Sequence, residues 1–398
     1  MKKFKLLFLL LVPLLLTGCY DRKELDDLAY VIAIGIDKGE GKNLDITYQV
    51  SIPLKLSGTE SSTGKENYTT YTVSAPSLYL GNSIVNTQTS KEINLANVKL
   101  IIYSEELAKE DLSGHISELM ANVDIRPKTT IAICEGKTKD FLSNLSPVLE
   151  SSTARFYELF LAANNYTNLF VSSELFDFYK SAQSIDRDAH AIILKSSQGN
   201  SNSSENENKK ESSSDEKNEI QIAGIATFDG GKMTSKVPIE KALSHLILTN
   251  TLKRGTIGIE DINEPEEIVT FTLTPSRKCS YKIDIKNDTP NVKITTYINA
   301  HILSSEGTTD YVNKENRDKL KISLENKINN QLINYLEMLK EIDSDITALG
   351  KYARINYLTW EDFEEINWKE IFKNSKIEIK TNVNLNISET AFHRLPNV

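Results

Sequence analysis

Residues 196–218 run SSQGNSNSSENENKKESSSDEKN, 23 positions without one apolar side chain. A stretch like this has nothing to bury and cannot repay the entropy of ordering itself. The fold must be built from what lies on either side. The stretch is read as a polar loop or linker between two halves, 19–195 and 219–391. A chain of 398 residues carries a prior of two or three domains. Its 39% apolar and 25% charged residues are ordinary for a globular body.

In the first half, alternating apolar residues over 28–36 and 44–52, joined by Asp37-Lys38-Gly39-Glu40-Gly41, predict a hairpin. Strands follow over 68–74, 98–103, 129–134 and 190–194, interleaved with helices over 77–89, 112–123, 137–145, 153–163 and 173–182. The polar residues 57–67 read as a loop. In the second half, 220–228 and the turn Asp229-Gly230-Gly231-Lys232 predict another hairpin. A helix over 240–252 and a meander over 268–273, 280–285 and 292–303 come next. The longest helix, 313–342, carries Leu320, Leu324, Ile328, Leu332, Leu336 and Leu339 on one face, with Asn313 as N-cap. A final strand over 376–387 alternates strictly, and 392–398 is a tail. The fold class is α+β: a mixed α/β multi-domain body with largely antiparallel sheets and one long helix in its C-terminal half.

The amino terminus fixes a location. Lys2, Lys3 and Lys5 precede an apolar core of eleven residues, 6–16. As a helix this core is about 16 Å long, against a hydrocarbon thickness of roughly 30 Å. It is therefore too short to span a bilayer and reads as a secretory signal, residues 1–18. It closes on Leu16-Thr17-Gly18-Cys19, the pattern at which lipoprotein precursors are lipidated and cut. Cys19 is the predicted attachment point of a diacylglyceryl group, and two acyl chains suffice for stable anchoring. Removing 1–18 takes away three of the 46 basic residues and none of the 55 acidic ones, so net charge moves from −9 to −12. An acidic body without a Lys/Arg block argues against nucleic acid. Cys134 and Cys279 read as buried, unpaired thiols, with a single disulfide between them as the alternative.

Enzymatic motifs are thin. The sequence contains no GxSxG elbow, HExxH helix, Walker loop or GxGxxG fingerprint. His115, His190, His245, His301 and His393 stand apart from one another along the chain and read as structural or surface residues, not metal ligands. No catalytic residue, metal site or cofactor is assigned, and no ligand-binding residue either. Glu337, Glu341, Asp343 and Asp345 read as a solvated acidic end of the long helix, with a cation site as the alternative. Trp360, Phe363, Trp368 and Phe372 read as core aromatics, with a pocket wall as the alternative.

The opening Cys19-Tyr20-Asp21-Arg22-Lys23-Glu24-Leu25, then Leu28-Ala29 and Gly35-Ile36-Asp37, resembles the start of the Ger(x)C lipoproteins, the C subunits of spore germinant receptors. Further matches fall in order: Val98-Lys99-Leu100-Ile101, Glu106-Leu107-Ala108, Ala223-Gly224-Ile225-Ala226-Thr227-Phe228, and Trp360 with Trp368-Lys369-Glu370-Ile371-Phe372. Tyr20 stands where the family has Trp, Ala348-Leu349-Gly350 where it has Phe-Gly, and Thr359 where it has Pro. The resemblance implies a non-enzymatic subunit on the outer face of the spore inner membrane. It would act with membrane-spanning A and B subunits to start germination in response to nutrients. A solute-binding lipoprotein is the alternative, and a lipid-anchored hydrolase ranks third.

Overall fold

The computed structural model describes residues 24–52, 68–145, 147, 149–150, 152–198, 218–286 and 288–386. The signal segment 1–18, Cys19, the loop assigned to 57–67, positions 199–217 and the tail 392–398 lie outside the described residues.

The hairpin expected at the start is present as β1 (Leu28–Lys38) and β2 (Leu44–Ser51), extended by β3 (Tyr68–Ala75). On its other side β1 is followed by β5 (Leu100–Ser104), β6 (Thr130–Cys134) and β7 (Ala189–Gln198), each parallel to its neighbour. A short β4 (Glu92–Asn94) pairs parallel with the beginning of β1. Parallel strands need long crossovers. These contain α1 (Leu78–Val85), α2 (Glu105–Ala108), α3 (Ser113–Ala121), α4 (Thr138–Ser143), α5 (Thr153–Leu161) and α6 (Leu175–Ala182). β5 and β6 are buried at every position, as a sheet covered on both faces requires. Ile101 and Tyr103 face a core shared with Leu78, Ile116 and Phe178. Leu100 and Ile102 face the opposite core with Phe141, Leu142 and Tyr157.

The Gly35-Ile36-Asp37 segment acquires a physical role here. A Cβ on Gly35 would lie 2.5 Å from Thr138 Oγ1 and 2.9 Å from Leu142 Cδ1, so only glycine lets α4 sit on β1. Buried Asp37 then holds the first turn of that helix. Its Oδ1 accepts from Thr138 N at 2.9 Å, and its Oδ2 accepts from Thr138 Oγ1 and Lys139 N at 2.9 and 3.1 Å. These bonds satisfy donors that a helix start leaves open.

β7 continues antiparallel into β8 (Asn218–Asp229) and then β9 (Lys232–Pro238). Ala189 pairs with Phe228 and Gln198 with Asn218, so positions 199–217 connect adjacent strands of one sheet. The division into halves at 196–218 therefore does not coincide with the division into sheets. Composition marks a stretch that buries nothing; it carries no information on which strands flanking it will pair.

The second sheet follows α7 (Ala242–Leu248) and contains β10 (Gly255–Glu260), β11 (Ile268–Pro275), β12 (Ser280–Lys286), β13 (Thr289–Ser305) and β14 (Lys376–Asn386). β13 is 17 residues long and serves as the spine. β14 runs parallel along one edge over 291–301. β12 and β11 therefore share the other edge end to end, over 289–295 and 298–305. α8 (Lys314–Glu341) starts from Asn313, whose Oδ1 accepts from Glu315 N at 2.8 Å. Its six predicted stripe residues are all buried and join Val383 of β14 in the domain's own core, as expected.

Candidate functional site

Three ionisable residues in a row, Asp186-Arg187-Asp188, enter β7 and are all buried. Charged side chains are rarely buried unless paired. Their partners come from a 343–350 turn after α8 and from two short helices, α9 (Gly350–Arg354) and α11 (Trp368–Phe372). A further short helix, α10 (Trp360–Glu364), lies between them, and Thr359 caps it by accepting from Asp362 N at 3.1 Å. The departure from proline at this position thus leaves the helix with an N-cap.

Asp345 is the centre of the junction. Its Oδ1 accepts from Thr347 Oγ1 at 2.8 Å and Leu349 N at 3.1 Å; its Oδ2 accepts from Gly350 N and Trp368 Nε1, both at 2.9 Å. Burial pushes its carboxyl above the usual range against these four donors. The reading of Asp345 as part of a solvated acidic end is corrected. Asp343 is exposed, but Asp345 turns inward because the chain reverses at Asp343, whose φ is 55°. Asp188 is likewise pushed up by burial, with Lys369 pulling it back. Lys369 Nζ sits 2.7 Å from both Asp188 Oδ1 and Asp229 Oδ1. Burial pulls the Lys369 amine down, and the two carboxylates more than offset it, so its pKa is raised. Asp186 accepts from Ser184 Oγ at 2.6 Å, and Arg354 Nε lies 3.7 Å from its Oδ2. Gly350 is fitted tightly: a Cβ there would lie 2.3 Å from Asp186 O and 2.6 Å from Trp368 Cδ1. Of the last family-like motif, Lys369 thus ties the second sheet's helices to Asp188 and Asp229 on the first sheet's side, while its neighbour Trp368 holds the Asp345 turn.

Beside this junction lies a cavity of about 460 Å³. The first sheet's side contributes Glu174, Asp177, Lys180, Arg187 and His190, and the other side contributes His245, Lys351 and Tyr352. His190 and His245, isolated in sequence, come together with ring centroids 4.9 Å apart, and His245 Nδ1 is 2.9 Å from Tyr335 Oη. The two histidines, separate along the chain, are thus brought into ring contact between β7 and α7. Burial pushes His190 down to about 4, with Asp177 acting in the opposite sense. Burial also lowers His245 well below its ordinary value, helped by His190. Arg187, only 8% exposed, lines the same cavity.

The sequence had not singled out Asp186, Arg187 or Asp188. The available signal was three consecutive ionisable residues directly before an apolar strand. Of the four aromatics read as core, Phe363, Trp368 and Phe372 are buried, whereas Trp360 is 51% exposed with Arg354 stacked 4.4 Å above its ring. Cys134 and Cys279 are free, the first buried and the second half-buried. Among the described residues no helix is long and apolar enough to cross a membrane.

Comparison with known proteins gives two family matches in tandem. The family described as "Spore germination protein N-terminal domain" matches residues 21–196, and "Spore germination B3/GerAC like, C-terminal" matches residues 223–389. YfkR of Bacillus subtilis (strain 168), whose name assigns it provisionally to spore germination, is 22% identical over 391 residues, 95% of each chain. Spore germination protein GerQC of Bacillus cereus is 22% identical over 387 residues, 95% of this chain and 96% of its own. Spore germination protein KC of Bacillus subtilis (strain 168) is 26% identical over 145 residues, about a third of each chain. The crystal structure of the GerBC protein shares the fold, with a TM-score of 0.51, 14% identity, and coverage of 92% of this chain and 99% of the other.

Proposed function

The chain belongs to the Ger(x)C family of spore germination proteins, and from that membership we propose that it is the lipid-anchored C subunit of a nutrient germinant receptor. The observation that carries the reading is the tandem family match, in order and over 21–389. In this reading Cys19 carries the diacylglyceryl group, and the matched body begins two residues later, directly at the membrane. The subunit sits on the outer face of the spore inner membrane and acts with membrane-spanning A and B subunits. Its role is assembly and signal coupling, not catalysis. A tether raises the local concentration of the body near its partners, so modest interfaces suffice.

The test is dipicolinate release from spores challenged with single nutrients, using a deletion strain and a Cys19→Ala strain. Loss of the response to one nutrient with normal sporulation is the expected result, and Cys19→Ala spores are expected to lose the protein from the membrane fraction. Unchanged responses to every nutrient in a strain also lacking its paralogues would overturn the assignment. The cavity at the junction supports solute capture as a second reading, tested by ligand binding to the isolated protein.

A further inference from the structure

We propose that the cavity between the two sheets is a binding site for a small carboxylate, held by Arg187. This goes beyond the germination role and does not depend on it. Arg187 is 8% exposed, and its Nε is buried without a hydrogen-bond partner among the described residues. Its ionic neighbour among the described residues, Asp186 Oδ1, is 3.8 Å away, beyond hydrogen-bond reach. The adjacent carboxylates have other partners: Asp186 Oδ1 accepts from Ser184, Asp188 Oδ2 accepts from the Asp345 amide, and Asp188 Oδ1 is ion-paired with Lys369. A buried cation left in this state is costly, and a fold retains one where something else completes it.

The chemistry of the missing partner follows from the guanidinium. It is a planar fork of N–H donors that matches a carboxylate in two parallel bonds, and it cannot shed its proton to escape the cost. The space is adequate, since about 460 Å³ falls within the range of small-molecule sites. Lys180, Lys253 and Lys351 line the same cavity and add a positive field that favours an anion. Glu174, Asp177 and Asp188 also line it. They oppose a simple anion, but would receive an ammonium if the carboxylate belonged to an amino acid. The shared chemistry is the carboxylate, and the test separates the two sources.

The test is thermal unfolding of the full-length chain in detergent, at constant ionic strength, with acetate, glycine or acetamide titrated in. Acetate or glycine is expected to raise the melting temperature saturably, by roughly 3–5 °C at a hundredfold excess over Kd. Acetamide, uncharged and nearly isosteric with acetate, is expected to do nothing. A response to glycine without one to acetate places the ligand among amino acids; the reverse identifies a simple acid. Arg187→Gln is expected to abolish the shift while the ligand-free protein stays folded, as its own melting transition shows. Ser181→Trp, which fills the cavity from α6 without touching the charge, provides a second variant with the same expected loss. The proposal is overturned if neither carboxylate gives a saturable shift, if acetamide matches them, or if either folded variant retains the wild-type response.

Discussion

Asp188 and Asp345 lie 157 residues apart and exchange two hydrogen bonds: Asp345 N donates to Asp188 Oδ2 at 2.8 Å, and Asp188 N donates to Asp345 O at 3.1 Å. The two residues belong to different sheets' surroundings, one at the mouth of β7 and the other in the turn after α8. Each uses its main chain towards the other, which frees the Asp345 carboxylate for four donors and the remaining Asp188 oxygen for Lys369. The junction is consequently a dense polar network in a buried setting, with Asp345 fully engaged at its centre. Such networks hold only when nearly every member is satisfied.

Asp345→Asn places an NH2 where two donors now point and removes the negative charge from all four. Leaving buried donors open costs about 1–3 kcal/mol each before relaxation, so a net loss of about 2–4 kcal/mol is expected. Urea unfolding followed by the fluorescence of the adjacent Trp368 measures it. Asp343→Asn, two residues away but exposed and at a φ that Asn tolerates, is expected to stay within about 0.5 kcal/mol of wild type.

Gly350→Ala tests the fit at the same place. The new methyl carbon meets a main-chain oxygen, Asp186 O, and the edge of a buried indole, neither of which is a flexible chain end. Overpacking of this kind costs typically about 1–3 kcal/mol. The expected readout is a lower melting temperature together with loosened protection of the Gly350 and Leu349 amides in hydrogen exchange.

Asp37→Ala strips the start of α4 of three acceptor contacts and leaves Thr138 Oγ1 buried without its partner. A loss of about 2–3 kcal/mol is expected from the cap and the stranded donors together. Asp37→Asn keeps one oxygen on Thr138 and should lose about half as much. Equilibrium denaturation of the two variants side by side checks the ordering.

Acid should weaken the fold through His190. In the unfolded chain this ring takes a proton near 6.5; in the folded protein it does so only near 4. Between those values the unfolded state binds more protons, so stability present above pH 6.5 is lost as pH falls towards 4. The full gap corresponds to at most ~3 kcal/mol, and solvent access to the half-buried ring reduces this to ~1–2 kcal/mol. Asp188 and Asp345 act with the opposite sign, since their raised carboxyls add stability as pH falls through their folded values. His245, also lowered by burial, acts in the same sense, and His190→Gln isolates the His190 share: its melting temperature should fall less than wild type between pH 7 and pH 5.

Much of the fold was legible where one face had to be buried. The stripe from Leu320 to Leu339 and the cap Asn313 located α8 to within a residue, and the alternation beginning at Lys376 located β14. β10, with Gly255 and Gly258 in six residues, carries too weak an alternation to be found. The junction was illegible for a different reason. Asp345 looks solvated beside Glu341 and Asp343 in the sequence, and its donors come from Trp368 and the backbone of Gly350. His190 and His245 acquire a shared environment only when β7 meets α7. Linear spacing carries such meetings when they fall on one element, and loses them when they fall on two.

The antiparallel pairing of β7 with β8 has a practical consequence for anyone who would cut the protein at the seam between its two family matches. A fragment ending at 196 keeps β7 but loses β8, so a strand buried in the whole protein becomes a bare edge, a template for self-association. The complementary fragment begins with strands whose sheet is missing. Neither fragment is expected to fold alone. A nick within 199–217 is another matter: it breaks the covalent thread and leaves the ladder from Ala189–Phe228 to Gln198–Asn218 intact, so two co-expressed pieces should reassemble into one body.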